Sequence, residues 1–209
     1  MADLFTLTAT DLAALLCSRV CHDIISPVGA INNGLELLDE GGADEDAMNL
    51  IRTSARNASA RLQFARIAFG AAGSAGMQID TGDAEAVATA YLRNEKPDLE
   101  WVGRRALLPK NKVKLLLNLI LVAIGAVPRG GKILVKLDDL ETAPNFSITA
   151  TGPMVRVPPK FLELHSGQKT ADPIDAHSVQ PYYTMLLARE AGMEISIRAG
   201  AEDVVFTAK

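Results

Sequence analysis

The chain has 209 residues, 48% of them hydrophobic and 22% charged, the make-up of a folded globular protein with room for one compact domain or two small ones. A formal net charge of −4 argues against nucleic-acid binding, which needs a clustered basic surface to neutralise phosphates. Met1-Ala2-Asp3-Leu4 lacks the positive start of a secretory signal, and the apolar run 113–127 is about 15 residues long against the roughly 20 a membrane span needs, so a cytoplasmic protein without a membrane segment is expected.

In chain order, Thr8 or Thr10 caps a first helix carrying Ala13, Leu16, Val20, Ile24, Ile31, Leu35 and Leu38, which Gly41-Gly42 stops. A second helical pattern begins after Ala43-Asp44, whose carboxylate suits a helix N-terminus. It runs through Met48, Ile51, Ala55, Ala58, Leu62, Ala65 and Phe69 and breaks at the glycine- and alanine-rich stretch 70–76. Two helices joined by a short turn form an antiparallel hairpin. The stripe at 16, 20, 24, 31, 35 and 38 needs more than one partner helix, and a symmetric homodimer closing a four-helix bundle supplies it. Packing against the second half of the same chain is the alternative.

The second half mixes strands and helices. A helix is expected over 83–93, a strand over 99–103, and a long helix from Pro109 to Val127, with proline at the first position where its missing N–H costs nothing. Strands follow at 132–137 and 146–150, then a helix opened by Pro158-Pro159, a loop over 167–177, a helix over 182–191, and a closing hairpin of 193–198 with 204–207 around Gly200. The fold class is therefore α+β: a helical hairpin over 1–76 and an α/β sandwich over 77–209, one sheet with helices on one face.

Cys17 and Cys21 lie one turn apart beside His22 and are expected to be reduced core thiols, since no second ligand pair makes a metal site. At roughly 100° per residue, His22 points away from the core position Ile24. Leu15, Ser18, Arg19, Ser26, Gly29 and Asn33 share its face, with Ile25 at the edge. Small side chains there admit a close-approaching protein, and Leu15 and Ile25 offer it apolar contact. Asp23 beside His22 favours the imidazole tautomer whose other nitrogen is nucleophilic, and phosphoryl transfer asks for little beyond that lone pair, in-line access and charge neutralisation. Pro27 costs the helix about 3 kcal/mol, and a bend beneath a reactive side chain is one compensating reason. Without further information His22 is equally an idle surface histidine; His165, His177 and Trp101 read as two solvated rings and a core residue.

Cys21-His22-Asp23-Ile24-Ile25-Ser26-Pro27-Val28 resembles the H box of sensor histidine kinases: phosphoacceptor, acidic residue, apolar residue, hydroxyl residue, proline and apolar residue at matching spacing. It departs at Ile25, where kinases carry a basic residue. The second half resembles the kinase ATP-binding domain with its nucleotide contacts replaced. The metal-binding asparagine of the N box falls on Val122, and the following basic position on Gly125. The adenine-binding aspartate is Ala150, the second glycine of that segment is Met154, and the glycine-rich lid is Ser178-Val179-Gln180-Pro181-Tyr182. Alanine accepts no hydrogen bond from adenine, valine supplies no oxygen to magnesium, and a lid without glycine cannot fold closely around phosphates.

An intact phosphoacceptor beside a degenerate nucleotide site is similar to the ChpT family of alphaproteobacterial histidine phosphotransferases over essentially the whole chain. The resemblance implies a homodimeric phosphotransferase with His22 and Asp23 as its catalytic pair and no cofactor of its own, the Mg2+ coming from the partner receiver domain. It implies a hybrid kinase of the CckA type as donor and response regulators of the CtrA and CpdR type as acceptors. Two other readings accompany it, a residual ATP-using kinase and a non-catalytic adaptor for receivers. Tyr182 and Tyr183 in the former lid either plug the vacated pocket or touch a receiver.

Overall fold

A computed structural model describes residues 6–41, 44–70, 78–167 and 173–209. The expected stop at Gly42, most of the break over 70–76 and the middle of the loop over 167–177 lie outside the described residues. Helix α1 spans Ala9–Asp39, 31 residues, with Thr8 as N-cap accepting from the Asp11 N–H at 3.1 Å. Helix α2 spans Asp44–Ala68 and returns antiparallel along it. Gly34 sets their separation. It is buried, and a Cβ there would meet Cγ1 of Ile51 at 2.6 Å and the Ala47 carbonyl oxygen at 3.2 Å. Pro27 is buried within α1, which continues through it.

The hairpin packs in two ways. At one end Phe64, Ile67 and Ala68 of α2 enter the core of the C-terminal half, and Leu12 and Leu16 of α1 pack against it. Contact with the second half thus covers part of the expected stripe, Leu16 included. Elsewhere the hairpin is bare: Val28, Leu35, Leu37, Leu50 and Leu62 are exposed, and Ile25 is 71% exposed. Cys17 and Cys21 are exposed as well, which corrects their placement in the core. They sit on one face with Val28 and Leu35, where the single chain offers nothing to cover them. By length and hydropathy α1 passes for a membrane span, with 6% of the qualifying window buried, whereas the apolar run 113–127 lies in the core.

The C-terminal half is a five-stranded sheet in the order β2-β4-β5-β7-β6, with β2 Pro97–Val102, β4 Gly131–Asp138, β5 Asn145–Thr151, β6 Ile195–Ala199 and β7 Asp203–Ala208. Only β2–β4 is parallel. Ile133, Val135 and Leu137 of β4, Phe146, Ile148 and Ala150 of β5, and Val204, Phe206 and Ala208 of β7 are buried, the period-two alternation of a sheet covered on one face. Helices α3 (Thr81–Leu92), α4 (Lys110–Ala126), α5 (Pro159–His165) and α6 (Val179–Ala191) complete it. Trp101 on β2 packs against the core.

A small antiparallel ladder, β1 (Gln78–Asp80) with β3 (Leu107–Pro109), was not foreseen, because three-residue strands carry no readable periodicity. Pro109 ends β3 and is the N-cap of α4, so the helix starts at Lys110, one residue later than expected. α4 is buried almost all round. Asn118, which interrupts its apolar run, is fully buried and donates from Nδ2 to the Ala68 carbonyl at 3.1 Å and the Lys114 carbonyl at 2.9 Å. It thereby ties α4 to the end of α2.

Candidate functional site

Midway along α1, the His22 side chain is 64% exposed and its Nδ1 lies 3.9 Å from Oδ1 of Asp23. That is longer than a hydrogen bond, so the carboxylate acts on the ring as an oriented charge. The other Asp23 oxygen accepts from Nε of Arg19, one turn earlier, at 2.9 Å. Arg19 thus pins the carboxylate while leaving one oxygen for the imidazole. Negative charge at Nδ1 favours the proton there and leaves the Nε2 lone pair nucleophilic.

The ring of His177 meets that of His22 edge-on, with centroids 5.1 Å apart and planes at 79°. His177 belongs to the turn that opens α6. Oδ1 of Asp175 accepts from the Ser178 hydroxyl at 2.6 Å, the Ser178 N–H at 2.8 Å and the His177 N–H at 3.0 Å. These bonds, the Ser178 hydroxyl foremost, hold the Asp175 carboxyl below the usual carboxylate range. The turn is therefore fixed by its own hydrogen bonds. The reading of His177 as a merely solvated ring is corrected: it is exposed, and it packs on the phosphoacceptor candidate. His165 is corrected too. It is half-buried, and its Nε2 donates to the Ile195 carbonyl at 2.8 Å, joining α5 to the sheet edge. No sequence spacing brings residue 177 to residue 22; the Asp175–Ser178 capping pattern was the only local sign that this turn is ordered.

Between hairpin and sheet domain lies a cleft of about 370 Å3 lined by Arg19, Asp23, Arg61, Tyr91, Val122 and His177, among others. Arg61 of α2 crosses it, donating to Asn57 at 3.0 Å and to the Tyr91 hydroxyl at 3.3 Å and pairing with Glu95 at 2.7 Å. Its guanidinium also lies 5.2 Å from the centre of the Tyr91 ring. Burial pushes Tyr91 up to about 12, against the pull of Arg61. Each arginine of the cleft faces a carboxylate.

The positions matching kinase nucleotide contacts are placed as follows. Val122 and Gly125 line the cleft from α4. Ala150 is fully buried in β5, paired with Ile133 and Val204, and Met154 is half-buried after that strand. The lid segment is helix: Gln180 turns inward and donates from Nε2 to the Asn118 carbonyl at 2.9 Å and to Thr184 Oγ1 at 3.0 Å. Tyr182 is 2% exposed, and its hydroxyl accepts from the Leu7 N–H at 3.2 Å. Tyr183 accepts from Lys114 Nζ at 3.4 Å; burial pushes the tyrosine up to about 12 and the lysine down. Both tyrosines are packed inside.

Of the residues expected on the His22 face, Ser18, Ile25, Ser26 and Asn33 are exposed and Leu15 and Gly29 half-buried, with nothing within 4 Å of a Cβ at Gly29. Arg19 is turned into the cleft and the Asp23 pair instead of lying free on that face.

Residues 81–203 match the model of the histidine phosphotransferase C-terminal domain. The chain is 74% identical over 204 residues to protein phosphotransferase ChpT of Brucella abortus (strain 2308), covering 98% of each. A solved bacterial phosphotransferase superposes with a TM-score of 0.93 at 72% identity, again over 98% of each chain. The histidine kinase AdeS of Acinetobacter baumannii aligns over 90% of this chain and 95% of its own at 12% identity, with a TM-score of 0.45. A family model spanning more than half the chain, together with near-complete coverage of a close relative, establishes that the protein belongs to the ChpT family of histidine phosphotransferases.

Proposed function

We propose that the protein carries phosphoryl groups on His22 between receiver-domain aspartates and takes none from ATP. The observation that carries this reading is the exposed His22 ring with the Arg19-anchored carboxylate of Asp23 on its Nδ1 side. A receiver docks over the exposed face of Ser18, Ile25, Ser26 and Asn33, flanked by Leu15, Gly29 and Arg19. Nε2 of His22 attacks the phosphorus of the aspartyl phosphate; the N–P bond forms as the aspartyl O–P bond breaks. Asp23 stabilises the positive charge that develops on the ring. The second receiver reverses the step with its own aspartate. Magnesium held by the receiver neutralises the transferring group.

The absence of ATP chemistry is supported by Val122, Gly125, Ala150 and Met154 at former ligand positions and by the lid folded into α6 through Gln180. A homodimer is supported by the exposed apolar face of α1 and α2, covered by a second copy in a four-helix bundle. The same covering accounts for the hydropathy of α1 without a membrane. We place the protein in the cytoplasm, between a hybrid kinase receiver of the CckA type and response regulators of the CtrA and CpdR type.

The test uses purified protein. Mg-ATP alone leaves it unlabelled, and a phosphorylated receiver labels it within the mixing time. Labelling that persists in His22→Ala overturns the assignment, micromolar affinity for nucleotide in calorimetry favours a residual kinase, and failure to speed transfer between two receivers leaves only an adaptor.

A further inference from the structure

We propose that His177 is a phosphoryl-binding residue, whose ring N–H donates to the phosphoryl group carried on His22. The inference rests on the reading that His22 carries phosphate, and it assigns a task to the degenerate domain. Three observations lead to it. The rings lie 5.1 Å apart at 79°, so the His177 ring borders the space around the His22 imidazole. An imidazole in either neutral tautomer presents one N–H, so a donor exists without any demand on protonation. Finally, Asp175 fixes the turn through three hydrogen bonds, one of them from the His177 N–H, so the backbone that carries the ring is ordered by a local scaffold, which lowers the entropy cost of using it.

The arginines nearby are each held by a carboxylate. Arg19 is bonded to Asp23 and Arg61 to Asn57, Tyr91 and Glu95. Asp23, Glu95 and Asp175 are acceptors that repel phosphate. Of the polar side chains around this end of the cleft, His177 is the donor in ring contact with His22. It stands in the turn that opens α6, and from there the C-terminal half reaches the ring of His22 directly. A donor at this point stabilises the phosphohistidine against hydrolysis and shifts the transfer equilibrium toward the carrier.

The experiment phosphorylates the full-length protein with potassium phosphoramidate and follows the phosphohistidine by 31P NMR in wild type and in His177→Ala, His177→Phe and His177→Gln. The label forms in all four, with a half-life shortened about fivefold in the alanine and phenylalanine variants, the size of one hydrogen bond. Glutamine, which restores an N–H donor, recovers most of the loss. Because phenylalanine keeps the ring but not the donor, a wild-type half-life in His177→Phe overturns the proposal in favour of packing alone. An unchanged half-life in His177→Ala overturns it outright. Label appearing on residue 177 in His22→Ala overturns it by making His177 an acceptor. Wild type that forms no phosphohistidine at residue 22 overturns the carrier reading and this inference with it, whereas the preceding outcomes leave that reading standing.

Discussion

The charge at Nδ1 of His22 comes from a carboxylate whose two oxygens are divided, one to Arg19 and one toward the ring. An i,i+4 pair on a helix is worth only about 0.3–0.5 kcal/mol at the surface, and this one is half-buried. In the proposed carrier role its value is orientation: the pair holds the Asp23 carboxylate on the Nδ1 side of the imidazole. Residues behind the site work through burial instead. Tyr91 has an ordinary value of 10.0 and is pushed to about 12 in the fold. Its neutral form is favoured in the folded state, so its contribution is intact below pH 10.0 and is lost as pH climbs through about 12. Tyr183 shifts in the same direction. Lys114 shifts the opposite way, and its gain is complete once pH passes 10.5. Thermal melts from pH 9 to 12 should therefore show a steep alkaline fall, of which about 2 kcal/mol belongs to Tyr91. Tyr91→Phe is expected to flatten it; an unchanged slope would mean that the phenol is not protected from ionisation.

Gly34 shows how one residue sets an element pair. A Cβ would come within 2.6 Å of Ile51 Cγ1, an atom near its own backbone and slow to yield, with the Ala47 carbonyl close behind. Gly34→Val should therefore force α1 and α2 apart and destabilise by about 2 kcal/mol. The helix-propensity gain over glycine, less than about 1 kcal/mol, is too small to offset it. A lowered denaturation midpoint at unchanged slope checks this, and a stabilised variant would refute the packing. The hairpin was legible because its apolar spacing, its Thr8 cap and its glycine stop agree. α6 was legible only in part. The sequence reading began it at Tyr182, whereas Val179 and Gln180 belong to it because Gln180 finds the Asn118 carbonyl across the core. That bond joins residues far apart in the chain, and no local propensity reports it.

At the scale of the molecule, the hairpin is covered by the sheet domain at one end and by nothing at the other. Cys17, Cys21, Val28 and Leu35 form a stripe along α1 that faces solvent in the single chain, and Leu50 and Leu62 of α2 are exposed as well. Apolar area of this kind is stabilised by removal from water at about 25 cal/mol per Å2. Sedimentation equilibrium should accordingly return twice the mass of 22.3 kDa, and Val28→Asp with Leu35→Asp should return the monomer. Wild type sedimenting as a monomer at micromolar concentration would remove the bundle from the proposal.

Some of this protein stood in its sequence alone, because its signals are local. Helix boundaries follow from caps and periodicity, and the His22-Asp23 pair with Pro27 is a contiguous motif. Val122, Ala150 and Met154, where the resemblance expects nucleotide contacts, are single letters read directly from the sequence. The sheet order, the short β1–β3 ladder, the burial of Tyr182 and Tyr183, the bond of His165 to Ile195 and the meeting of His177 with His22 had to wait for the fold. Each joins residues whose proximity depends on how helices and strands pack across the core, and packing is a property of the whole chain that no window of it contains.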